Sequence, residues 1–209
     1  MLRRLLFLKL IIVFCPLVQA SGLDLRLGND AAQFGYLFDS GSQIGIGGAD
    51  IGAAVFFNEN DDVLISLGLM VTGSAAGQYR AFQFGAGARL YMADLELEPD
   101  STGASPGEIA RLRALEEDSV GAAAIGGMLS YIFPSSTPMA VSAELFFAPN
   151  IVSFGDNKDL VDIQLSFGVE IAPSTRIYFG YRNLDVDMED SSVSYELDDS
   201  AHIGLKLAF

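Results

Sequence analysis

His202 is the only histidine of this 209-residue chain. Ser200 stands two residues before it, and Asp198 and Asp199 lie alongside. A nucleophile, a base and a carboxylate are what hydrolysis of a lipid or peptide bond needs. Serine and aspartate are abundant in this stretch, so the coincidence carries little weight. A single polar histidine is more often simply hydrogen-bonded. No catalytic residue is assigned, and a surface hydrolase using His202 stands only as an alternative. A second cluster is acidic: Asp185, Asp187, Glu189, Asp190, Glu196, Asp198 and Asp199. Carboxylate oxygens suit calcium, but the twelve-residue spacing and turn glycine of a calcium hand are missing. The run reads as a solvated loop, with contact to the divalent cations that bridge lipopolysaccharide as a weaker variant. Gly85 to Gly87 and Gly126-Gly127 are not nucleotide loops, because no helix follows them. Neither a metal site nor a cofactor is assigned.

The third set is spread along the chain: Asp24, Arg26, Gln83, Arg89, Glu144, Asp162, Gln164, Glu170, Arg176, Arg182 and Lys206. Each alternates with apolar neighbours. Period two is the signature of a strand with one apolar and one polar face. Val161, Ile163, Leu165, Phe167, Val169 and Ile171 alternate with Asp162, Gln164, Ser166, Gly168 and Glu170. Ten such segments can be counted: 22–28, 32–38, 49–57, 63–72, 79–92, 120–133, 139–148, 161–171, 175–186 and 201–209. The glycine-rich piece from Gly41 to Gly48 reads either way, so eight or twelve strands stay open. The last segment puts Ala201, Ile203, Leu205, Leu207 and Phe209 on one face and ends on the aromatic. That pattern resembles the signal by which outer-membrane barrels address their assembly machinery.

Half of the chain is hydrophobic, yet no stretch of its body is long and apolar enough for a spanning helix. Apolar residues dispersed by alternation suit a transmembrane barrel. The start differs. Arg3, Arg4 and Lys9 flank an apolar run from Leu5 to Phe14, and Val18-Gln19-Ala20 offers a cleavage site. This reads as a secretory signal over residues 1–20, with the barrel over 21–209. Cys15, the only cysteine, leaves with it. Phe14 before Cys15 disfavours a lipoprotein. The formal net charge of −15 becomes more negative once three cations depart, and this argues strongly against nucleic acid as a partner. The expected partners are outer-membrane lipid and lipopolysaccharide.

With both termini in the periplasm, the long polar connections 93–119, 149–158 and 187–200 point outward and the short turns inward, as in bacterial barrels. The first outward connection is short and breaks that pattern. The longest contains a capping box, Ser105-Pro106-Gly107-Glu108, followed by Ile109, Leu112 and Leu115 at helical spacing. A short helix over 105–117, resting on the rim, is expected there.

Three segments carry a resemblance: AIGGMLSY at 124–131, AELFFAP at 143–149 and FGYRNL at 179–184, followed by the terminal strand. In this order they resemble the YfaZ family of small outer-membrane proteins. The likeness covers about Ser119 to Phe209 well and the N-terminal half in outline. The helix-bearing insertion after Met92 departs from it. The resemblance implies a signal peptide and a small barrel, with no established activity and no catalytic residue to transfer.

The reading is all-β: a closed antiparallel transmembrane barrel of about ten strands. The eleven residues above would then face the lumen. Glu170 and Arg176 flank the turn at Pro173 and are expected to pair. Asp24 and Lys206 lie where the barrel closes and are expected to pair as well. Barrels of about 16 strands hold open channels, while about 8 leave room mostly for side chains. Ten lies near the small end, and Tyr91, Phe146 and Tyr178 also point in. A filled lumen with a structural or surface-interaction role is favoured. A narrow channel for ions or small solutes is the alternative, and a ligand pocket the third.

Overall fold

A lipid-embedded sheet has no water for unpaired N–H and C=O groups, so its edges must meet. They do in the computed structural model, which describes residues 22–39, 49–60, 62–75, 81–95, 118–155, 157–188 and 194–209. The strands are β1 (Gly22–Gly28), β2 (Ala31–Asp39), β3 (Ala49–Asn58), β4 (Val63–Ser74), β5 (Phe82–Leu95), β6 (Asp118–Phe133), β7 (Met139–Ala148), β8 (Ser153–Gly155), β9 (Asn157–Ala172), β10 (Thr175–Met188) and β11 (Ser194–Ala208). Ten of them form the wall, each antiparallel to its neighbours. β1 pairs with β11, and β5 with β6, so the ring closes. The three-residue β8 extends the wall beside the outer part of β6, where Val120 to Ala122 pair with Ser153 to Gly155. The expected helix at 105–117 lies outside the described residues.

Alternation sets which face is which. Leu67, Ile125, Leu165 and Phe179 stand on the exposed outer surface. On β5, exposure alternates from Phe82 to Leu95 without a break. At the end carrying the termini, aromatics gather on the outside: Tyr36 stacks edge-on with Phe38, Tyr131 with Phe133, and Phe133 with Phe167. Rings at the headgroup level are typical of barrel girdles. We call this the inner end and the opposite one the outer end.

A strand needs about 9–11 residues to cross a bilayer. β1 has 7 and β2 has 9, whereas β6 and β9 have 16 each and β11 has 15. The wall is therefore taller at its outer end on the β5–β11 side. This corrects the expected loop lengths. The terminal strand begins at Ser194 rather than Ala201, and β10 reaches Met188. Asp185, Asp187, Glu196, Asp198 and Asp199 belong to strands, not to a solvated loop; Glu189 and Asp190 lie outside the described residues. The register shifts where Leu184 faces Asp198 and Asp185 faces Glu196, leaving Leu197 as an extra residue. Such a bulge rotates the strand locally, and here it buries Leu197 and Asp198 together.

The turn Pro173-Ser174 joins β9 to β10 with only two residues between the strands. Ser174 has φ of 64°, a left-handed conformation that costs a residue with a Cβ about 1 kcal/mol. It is held there because its carbonyl accepts the Ala208 N–H at 2.8 Å. Ser174→Gly should therefore leave stability unchanged or raise it by up to about 1 kcal/mol, and Ser174→Val should lower it by at least that. Urea unfolding of the vesicle-inserted barrel would check the order Gly, Ser, Val.

Candidate functional site

The interior is layered along the strands. At the outer end the inward side chains are apolar and dry: Phe56, Leu64, Leu95, Val120, Leu160, Leu184, Val186 and Leu197. With Tyr91, Phe146 and four alanines they form one packed cluster, to which eight of the ten wall strands contribute. Leu95, Leu160, Leu184 and Val186 are wholly inaccessible. The cluster thus lies across the lumen.

A turn folds over it. Asn58 donates from Nδ2 to Asp62 at 2.8 Å and to the Leu197 carbonyl at 3.3 Å. Tyr195 donates its hydroxyl to Asp62 at 2.8 Å. This ties the β3–β4 turn to β11, a reach allowed because β1 and β2 between them are short.

Beneath the apolar layer sits a charged one, centred on Asp162. Its Oδ1 accepts from Arg182 Nε at 3.0 Å. Its Oδ2 accepts from Arg182 Nη2 at 2.8 Å, Arg89 Nη1 at 3.2 Å and Tyr91 hydroxyl at 2.7 Å. Arg89 also reaches Glu144 at 3.2 Å, and Arg182 reaches Gln33 at 3.1 Å and Asp198 at 3.8 Å. Both guanidinium groups lie near plug rings: Arg89 is 4.1 Å from the Phe146 centroid and Arg182 is 5.5 Å from that of Phe56. The cations are thus paired below and faced by aromatic surface.

Below this layer, toward the inner end, is a cavity of about 360 Å³. Nine of the eleven expected lumen residues line it: Asp24, Arg26, Gln83, Arg89, Glu144, Gln164, Arg176, Arg182 and Lys206. Asp162 is buried behind them, and Glu170 stands at the inner end of β9, outside the cavity lining. Lys206 meets Asp24 at 3.6 Å, as expected at the closing seam. Asp24 also accepts from the Tyr178 hydroxyl at 2.6 Å. Glu170 faces Arg176 in register, but among the described residues no ion pair joins them. This corrects that expectation: the turn at Pro173-Ser174 leaves Arg176 exposed at the cavity mouth, where water solvates its charge.

His202 points inward and is nearly inaccessible. Its ring meets Tyr178 edge-on at 5.9 Å between centroids. Both rings lie over glycines of the neighbouring strand. A Cβ on Gly180 would strike the His202 ring, and one on Gly204 the Tyr178 ring. Ser200 donates to Asp198 at 2.6 Å, and the His202 nitrogens have no hydrogen-bond partner among the described residues. Serine and histidine therefore do not form a nucleophile–base pair.

The closed ring of ten antiparallel strands, apolar toward lipid around a lumen that is packed at its outer end and hollow at its inner end, defines a transmembrane barrel of the outer-membrane type. No curated protein matches the chain. A family model described as YfaZ precursor matches residues 101–209, just over half of the sequence. The protein belongs to the YfaZ family. Two solved structures are similar at low identity. One is a KdgM porin, with 10% identity and a TM-score of 0.38, covering 91% of this chain and 99% of that one. The other is CarO2 of Acinetobacter baumannii, with 9% identity and a TM-score of 0.28, covering 93% and 100%.

Sequence reasoning missed Gln33, the inward role of Asp198 and most of the apolar plug. The plug had a signal: near the outer ends alternation fails, as in Phe56-Phe57, Val63-Leu64-Ile65 and Leu160-Val161. Apolar residues on both faces of a strand mean that both faces are dry.

Asp162 is the test of the charged layer. Asp162→Ala would leave Arg182 and Arg89 buried with one carboxylate fewer, a loss of about 3–5 kcal/mol. Asp162→Asn keeps the shape but loses the charge and should fall between. Unfolding of vesicle-inserted protein in urea would read both, and Asp162→Ala at wild-type stability would refute the arrangement.

Proposed function

We propose that this protein is a structural outer-membrane barrel that does not conduct, exported through a signal cleaved after Ala20. One observation supports it above the rest: the apolar cluster across the outer end of the lumen. An ion crossing it would lose hydration with nothing to replace the water, at a cost of several kcal/mol. Ten strands lie nearer the roughly eight at which side chains fill the interior than the about 16 to 18 that leave a channel.

The outer end suits a surface role. Asp187, Glu196 and Asp199 are exposed there, and Asp199 accepts the Tyr181 hydroxyl on the lipid-facing side. Carboxylates at that height fit the divalent cations that bridge lipopolysaccharide. The same wall leaves a ligand or solute role only to the inner cavity.

The decisive measurement is current through planar bilayers holding the folded mature barrel, with heat-modifiable gel mobility as the check of folding. Wild type should be silent. Combined Phe56→Ala, Leu160→Ala and Leu184→Ala should hollow the plug and admit water, at about 2–5 kcal/mol of stability for each substitution. Discrete steps from wild type would overturn the reading in favour of a narrow channel.

A further inference from the structure

We propose that the inner cavity is a binding site for a small oxyanion, a carboxylate or phosphate group that enters from the inner end and docks on Arg26. Arg26 is 6% exposed and lines the cavity. A guanidinium has five N–H donors. One hydrogen bond goes to the neutral Gln164 Oε1, at 2.9 Å. Among the described residues Nε and Nη1 have no hydrogen-bond partner within the geometric limits.

Arg89, Arg182 and Lys206 are treated differently. Arg89 has Glu144 and Asp162, Arg182 has Asp162 and Asp198, and Lys206 has Asp24. Among the described residues, Arg26 is the buried cation without a carboxylate within 4.0 Å. A buried charge left uncompensated costs several kcal/mol, so the site is incomplete as a closed unit. An oxyanion supplies what is lacking: negative charge and two acceptors in the geometry a guanidinium fork matches.

Access and surroundings agree. Arg176 is exposed at the cavity mouth and is not consumed by an ion pair with Glu170. It stands opposite Lys206 in register, so two cations flank the way in. Hydroxyls and amides of the lining, such as Ser166 and Gln83, add neutral donors. The volume, about 360 Å³, matches the lower range of small-molecule pockets. The outer plug leaves the inner end as the route, but binding at Arg26 is a separate question from conduction and would survive a failure of the non-conducting reading.

The test is isothermal titration of sodium phosphate, and separately sodium acetate, into the folded full-length mature barrel in low-salt zwitterionic detergent. Wild type should show saturable one-site binding to at least one of the two; which one distinguishes a phosphate from a carboxylate ligand. Arg26→Gln should weaken binding about tenfold or more, the loss expected for a charge-assisted hydrogen bond. Arg26→Lys should retain part of it and guards against a variant that merely misfolds. Lys158→Gln, at an exposed cation of the outer end, should bind as wild type. Absence of saturable heat with both anions, or equal weakening in Lys158→Gln, would overturn the site. Bilayer current is recorded on the same preparations, so each proposal has its own readout.

Discussion

The interior of this barrel depends on one interaction, the two-pronged bond between Arg182 and Asp162. Asp162 is 2% exposed, and four donated hydrogen bonds converge on it. A carboxylate so far from water is tolerable only when its acceptor sites are occupied by cations and hydroxyls. Arg182, on the adjacent strand, supplies two of the bonds; Arg89 and Tyr91 supply the others from β5, across the lumen. The network therefore does mechanical work as well as electrostatic. It ties β9 and β10 to the far wall at one height and sets the diameter that the residues above and below must fill.

That height divides the barrel. Above it, guanidinium faces rest near Phe146 and Phe56, which belong to the apolar cluster. Below it, inward positions become small or polar: Gly87 and Gly85 on β5, Ser142 on β7, Ser166 and Gly168 on β9. On β5 and β9 the inward residues run from apolar through charged to small or polar going from the outer end inward, whereas β6 carries no inward charge among its described side chains. The packing follows directly, since a filled section and a hollow section cannot exchange places without shifting every strand by several residues. A shift by an odd number would turn the lipid face inward as well.

Much of this was legible. Alternation gave ten candidate strands, with eight or twelve left open by the glycine-rich piece at 41–48, and it led the polar residues between apolar ones to be expected on the inward face. Asp24 and Lys206 could be paired because closure must bring the first and last strands together. Three features were not legible for physical reasons. Glu196, Asp198 and Asp199 look like loop residues in sequence, since charge density resembles solvation; the strand in fact continues past them, and the bulge turns Leu197 inward beside Asp198. The plug was hidden because a strand that is apolar on both faces has lost the very periodicity by which faces are told apart. The partners of Asp162 come from strands far apart around the ring, and contact across a lumen depends on shear and side-chain reach, which no local pattern encodes.

The rings over glycine show how such a lumen makes room for polar groups. Tyr178 lies on Gly204 of β11, and His202 on Gly180 of β10. Each strand gives up a side chain so that its neighbour can lay a large one flat against the wall. The two rings lie against the wall of the neighbouring strand. They shield the backbone on the β10–β11–β1 side while leaving the centre of the inner section unfilled. Asp24 holds Tyr178 down by its hydroxyl and Lys206 stands 5.2 Å from the ring centroid, so both groups are occupied along the wall. Arg26, between them and the plug, is then the cation that the wall cannot satisfy, and the space in front of it is the space those rings vacate. The hollow section is thus a consequence of how the wall is packed, and Arg26, buried with no carboxylate within 4.0 Å among the described residues, gives it a chemical sign.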